Sequence, residues 1–172
     1  MNIQPTLNGT LVALRPLKPD DYEDLFQAAS DPLIWSMHPQ PDRYKPEVFK
    51  IFFDEALKCH GALLISDIES GEVLGTSRYY EYSEKDSSVV IGYTFLVCKK
   101  WGGQTNWDLK KLMVNYGLAQ VKTVFFHVGV DNKRSQAALA KIGATKCGTE
   151  KIPVSYAEPK LSYIYKITEP LL

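Results

Sequence analysis

The first regular pattern along the chain is an apolar run, Leu11-Val12-Ala13-Leu14, bounded by Asn8-Gly9 and Pro16, which predicts a strand over Thr10–Arg15. Pro19-Asp20-Asp21 then opens a helix, with acidic side chains in the first turn where the helix dipole favours them. Its apolar positions, Tyr22, Leu25, Phe26 and Ala29, recur at helical spacing, and Asp31-Pro32 ends it. A second helical stripe runs through Val48, Phe49, Phe52, Phe53, Ala56 and Leu57. After Gly61 the period shortens to two. Strands are predicted over Ala62–Ile68, Glu72–Tyr82 and Ser88–Cys98, with turns at Ser70-Gly71 and Ser83–Asp86. Leu109, Leu112, Met113 and Tyr116 mark a helix over about Thr105–Gln120. Thr123–Val130 is apolar on both faces, as a central or parallel strand should be. Asp131-Asn132 opens a last helix, carrying Ser135, Ala138, Leu139 and Ile142, which Gly143 closes. Lys160–Thr168 alternates as a final strand.

This order, an antiparallel meander joined to a βαβ crossover, predicts a mixed α/β (α+β) fold. The expectation is one mostly antiparallel sheet of six to seven strands with helices on both faces. The Pro-, Asp- and Gln-rich piece from His38 to Pro46 is a loop too short to link domains, so residues 1–172 are expected to form a single domain.

Composition narrows the function classes. Hydrophobic residues at 45% and charged residues at 23% argue against disorder. Lys+Arg and Asp+Glu both number 20, so the chain lacks the overall basic field of a non-specific nucleic-acid binder. Cys59, Cys98 and Cys147 stand far apart, and the three histidines show no zinc spacing. Neither a metal nor a disulfide framework is expected, and reduced thiols suit a cytoplasmic protein. The opening MNIQPTLNGT has no basic or apolar segment of a signal peptide. The apolar runs fall far short of the ~20 residues that span a bilayer, so no membrane partner is expected.

The candidate chemistry lies between the strand ending at Cys98 and the helix after it. Lys99-Lys100-Trp101-Gly102-Gly103-Gln104-Thr105-Asn106 forms a glycine turn at a helix start. The first helical N–H groups are unpaired and carry the positive end of the dipole, which makes the turn a ready anion site. Lys99, Lys100, Lys110 and Lys111 add positive charge, with Asp108 the only acid among them. Ordinary turn chemistry and a solvated lysine face account for the same residues. The pattern is neither GxGxxG nor a P-loop.

In context, however, Gly92-Tyr93-Thr94-Phe95 leading into Lys99-Lys100-Trp101-Gly102-Gly103, Asn106, Asp108, Lys110 and Leu112-Met113 resembles the coenzyme A turn of the GNAT superfamily of N-acetyltransferases. Asp131-Asn132, Ser135, Ala138 and Lys141-Ile142-Gly143-Ala144 resemble that family's second signature, and Leu14-Arg15-Pro16-Leu17 with Asp20-Asp21 its usual opening. The three lie in register along most of the chain. The resemblance is nearest to the branch of ribosomal-protein N-terminal acetyltransferases.

That resemblance implies acetyl-CoA as acyl donor, with no metal, and a primary amine as acceptor. The amine would be a peptide N-terminus or a small molecule, attacking directly in a ternary complex. A homodimer is compatible with it. By analogy, Lys99, Trp101, Gly102, Gly103, Gln104, Thr105 and Asn106 hold the pyrophosphate, and Phe95, Leu96 and Val97 pair with the pantetheine arm. Asn132 matches a position that contacts this arm. Many members use a tyrosine to protonate the departing thiolate, but Leu139 stands at that place. The ribosomal-protein branch has serine where Ser135 stands, which makes Ser135 the donor candidate, with a helix-capping hydroxyl as the plain alternative. The glutamate often found two residues before Gly92 is Val90 here. Tyr93 is therefore a catalytic candidate, with Glu81, His38 and His127 as other possible bases. Trp35, His38 and Tyr44 are expected at the substrate mouth. A CoA-binding sensor or interaction module without catalysis is the alternative from another class.

Overall fold

The computed structural model describes residues 1–154 and 157–172. Among these, eight strands form one sheet. They are β1 (Leu7–Asn8), β2 (Val12–Pro16), β3 (Ala62–Asp67), β4 (Val73–Ser83), β5 (Ser88–Leu96), β6 (Thr123–Gly129), β7 (Thr145–Val154) and β8 (Ala157–Ile167). Their order across the sheet is β1-β2-β3-β4-β5-β6-β8-β7. Only β5 and β6 pair in parallel; the other pairs are antiparallel. The helices are α1 (Tyr22–Ala29), α2 (Pro32–Trp35), α3 (Pro46–Lys58), α4 (Gln104–Leu118) and α5 (Lys133–Lys141).

The alternation of β3 shows how the sheet separates two cores. Ala62 and Leu64 point into a cluster with Leu25 of α1, Trp35 of α2 and Phe49, Phe52 and Phe53 of α3. Leu63 and Ile65 point the other way, into a cluster with Leu109, Met113 and Val114 of α4 and Leu139 of α5. Successive strand residues face opposite sides, so a strand apolar at every position needs helices on both. Each fully buried aromatic contributes roughly 1.5–3 kcal/mol.

The mixed, mostly antiparallel sheet and the βαβ unit are as the sequence predicts, but the strand count is eight rather than six to seven. β1 is only two residues long. β7 is an exposed edge strand, TKCGTEKIPV, whose Lys, Glu, Gly and Pro hide any alternation. Asp31-Pro32 does more than end α1. Asp31 accepts the Leu33 amide at 2.9 Å as an N-cap, and Pro32 takes the first helical position of α2. The predicted strand to Cys98 stops at Leu96, and Cys98–Lys100 is a 3₁₀ turn. The opening motif forms a clamp: Arg15 grips Asp21 through two hydrogen bonds of 2.8 and 2.6 Å, and Asp21 also accepts the Lys18 amide at 2.7 Å. Among the described residues, no helix is long and apolar enough to cross a membrane.

Candidate active site

The parallel pair is incomplete. Ser88 with Thr123, Val89 with Val124 and Val90 with Phe125 are its paired positions. Beyond them β5 stays on β4, as far as Leu96 with Gly75, while β6 stays on β8, as far as Gly129 with Ser162. The two strands therefore part, and both border a cavity of about 430 Å³. A bulge bends β5 here: between Gly92 and Phe95 it has Tyr93 and Thr94 where β4 has only Ser77. Tyr93 takes a left-handed φ of 52°, a strained conformation for a non-glycine residue. Its ring covers the Arg78 guanidinium at 4.0 Å and meets Tyr80 edge-on at 5.3 Å.

At the head of α4, Gly102 has a φ of 69° and Gly103 is the N-cap, supplying no side chain to the first amides. A Cβ at either glycine would meet nothing within 4 Å. The positive end of α4 thus opens on free space, a shape that fits a diphosphate. Asp108, the acid of this stretch, faces away and accepts the Leu11 and Val12 amides at 2.7 and 3.1 Å. Gln104 is exposed and does not border the cavity.

The lysines divide. Lys99 pairs with Glu72 at 2.6 Å and Lys100 with Asp67 at 2.8 Å, both on the β3–β4 hairpin. Lys110 instead is buried in the cavity wall, its Nζ 3.3 Å from Thr94 Oγ1 and 5.1 Å from the centre of the Phe126 ring. Burial pushes its pKa down to about 8.

Of the residues expected to hold the donor, Phe95, Leu96, Trp101, Gly102, Gly103 and Asn106 border the cavity. Val97, Lys99, Gln104 and Thr105 do not. The Val97 amide donates to the Leu74 carbonyl at 2.8 Å. Asn132 and Ser135 border the cavity from α5. The cap is made by Asn132, whose Oδ1 accepts the Ser135 amide at 3.1 Å, so the serine hydroxyl is not the capping group. On the acceptor side, His38 and Tyr93 border the cavity, whereas Trp35 and Tyr44 do not. Trp35 is 1% exposed, donates to the Ala29 carbonyl at 2.8 Å and packs on Phe95 at 4.9 Å. Burial and the charges of Arg43 and Arg134 drive the His38 pKa down to about 3, so its imidazole is neutral.

Some cavity residues escape the sequence reading. Arg134 lies 3.9 Å from the centre of the Trp101 ring and donates to the Ile34 carbonyl at 2.8 Å. Its place beside the Asn132 cap was a usable signal. Tyr80 bonds His127 Nδ1 at 3.2 Å, and both border the cavity; the strand pattern over Glu72–Tyr82 does not single Tyr80 out. Glu81 is exposed and does not border it.

The acetyltransferase (GNAT) domain family matches residues 12–145, most of the chain. The chain belongs to that family, and it is an acetyltransferase. No curated protein matches it. Among solved structures, a GCN5-related N-acetyltransferase from Brucella melitensis superposes with a TM-score of 0.81 at 17% identity, covering 96% of this chain and 79% of that one. RimJ of Mycobacterium smegmatis, in complex with CoA-disulfide, gives 0.74 at 17% identity, covering 95% and 87%. The microcin C7 self-immunity acetyltransferase MccE, in complex with acetyl-CoA and AMP, gives 0.74 at 16% identity, covering 92% and 93%. These likenesses establish the fold.

Proposed function

We propose that the chain moves an acetyl group from acetyl-CoA to a primary amine, a peptide N-terminus or a small molecule, by direct attack in a ternary complex. The observation that carries this reading is the parting of β5 from β6 next to the uncapped start of α4. An extended arm can pair with the free edge of β5, as a peptide pairs with a sheet edge, while amides at Gly103–Asn106 receive a diphosphate. The CoA-disulfide and acetyl-CoA held by RimJ and MccE support the choice of donor.

Each role then follows from chemistry. Backbone N–H groups of β5 stabilise the charge that develops on the thioester oxygen. The attacking amine must lose a proton, and the Tyr80–His127 pair offers a route for it along the cavity wall. Ser135 donates to the departing sulfur. A cytoplasmic setting agrees with three free cysteines.

Acetyl-CoA at about 100 times its Kd should stabilise the protein by about 2.7 kcal/mol, read as a rise in melting temperature. No rise overturns the donor assignment. Binding without thiol release across a panel of amines makes the protein a CoA sensor instead. Ser135→Ala should lower kcat about tenfold, the worth of one net hydrogen bond, with the KM for acetyl-CoA little changed. Unchanged kcat removes Ser135 from the chemistry.

A further inference from the structure

Two buried arginines stand at the acceptor side with too little negative charge for both. Arg43 and Arg78 are each 4% exposed, and both lie on the ring of Phe52, at 4.8 and 5.1 Å. Arg43 borders the cavity; Arg78 does not, but its guanidinium lies 4.0 Å from the ring of Tyr93, a residue that does. The two guanidinium groups repel, and burial depresses the pKa of both. Glu55 of α3 draws both, which sets one carboxylate against two permanent cations. Arg78 Nη2 is buried with no hydrogen-bond partner among the described residues. Arg43 Nε spends its bond on a neutral group, the Gln40 amide oxygen, at 3.2 Å.

The rest of the cavity repeats this imbalance. Its described lining holds Arg43, Lys110, Arg134 and Lys141 and no aspartate or glutamate. His38, beside Arg43 and Arg134, is held neutral. A donor's diphosphate accounts for positive charge near the head of α4, but not for Arg43 beside His38 and Tyr93. A buried guanidinium with an orphaned N–H, as Arg78 has, is costly until an acceptor reaches it, and the planar fork of Arg43 at the cavity wall suits an oxyanion.

We infer that the acceptor is an amine carrying an oxyanion, a carboxylate or a phosphate, and that Arg43, backed by Arg78, seats that group. This rests on the transferase reading above for the word acceptor, but the seat itself is a binding site. Polyamines and other polycationic acceptors are disfavoured by the same charges.

The test uses acetylated products, so that binding is read without turnover. N-acetyl-β-alanine, its carboxamide and N-acetyl-O-phosphoethanolamine are titrated into the protein by calorimetry. At least one anion should bind about tenfold or more tighter than the neutral carboxamide, and which one does so separates carboxylate from phosphate. Arg43→Gln should bring that ratio close to one, and Arg43→Lys should leave it between the two. A ratio near one in the wild type, binding by neither anion, or an undiminished ratio in a folded Arg43→Gln protein overturns the inference. Thiol release from acetyl-CoA is measured in parallel with β-alanine, β-alaninamide and O-phosphoethanolamine. Failure of all three to release thiol counts against the transferase reading alone, since the titration still decides the anion seat.

Discussion

Gly75→Ala is expected to destabilise the fold by at least about 3 kcal/mol and to weaken acetyl-CoA binding with it. The residue sits in β4 at a φ of 155°, opposite Leu96, where the register with β3 also slips. A Cβ there would lie 2.0 Å from the Phe95 carbonyl oxygen and 2.9 Å from its carbon. Those atoms are backbone, so no side chain can swing aside. Relief requires β4 to move away from β5 at Thr76–Phe95 and Gly75–Leu96, the pairs that hold the proposed donor strand. Phe95 would be dragged from Trp35 and Phe52 as it moved. Urea unfolding measures the stability, and calorimetry measures the acetyl-CoA affinity. A loss below about 1 kcal/mol would mean that β4 yields easily, contrary to this packing.

Much of this framework was legible because it is written in local pattern. The stripes of α3 and α4 fix their buried faces. Asp131-Asn132 announces the cap that Asn132 makes, and Gly102-Gly103 announces the open helix start. What the sequence conceals is decided by pairing at a distance. Nothing in Ser88–Leu96 tells that its register with Thr123–Gly129 ends at Val90, because the bulge is carried by Tyr93, a tyrosine in a conformation that glycine would normally signal. Lys99 and Lys100 read as free positive charge beside the turn until the hairpin brings Glu72 and Asp67 to them.

The acceptor side was less legible still. Trp35 and Tyr44 were expected at the mouth from the resembled fold, but neither borders the cavity, and Trp35 is buried with its indole bonded to the Ala29 carbonyl. Arg43 stood in an unpatterned loop and Arg78 in a strand of alternating residues, so neither carried a periodic signal. Their importance emerges only when α3 brings the Phe52 ring to both and the fold buries both charges. Buried charge is a tertiary property, and composition balanced at 20 against 20 gives no hint of it.

Lys110→Met is expected to raise stability at pH 7 by about 3 kcal/mol, an advantage that fades in alkali. The lysine is buried in the cavity wall, and desolvation takes its pKa from 10.5 down to about 8. A tenfold change in proton affinity is worth about 1.4 kcal/mol, which converts this depression into about 3 kcal/mol. The sign follows from proton binding. Between about pH 8 and 10.5 the unfolded chain holds the proton and the folded chain releases it, so stability rises with pH. Below pH 8 both forms are protonated and the full penalty is present. Methionine has nearly the same length and no charge, so the variant escapes the penalty at every pH. Urea unfolding of both proteins from pH 7 to 10 should therefore show two curves that converge, with the wild type closing the gap from below. Other groups that titrate in this range are common to both proteins and cancel in the difference. Parallel curves, or a variant less stable at pH 7, would mean that Thr94 and the Phe126 ring already compensate the ammonium.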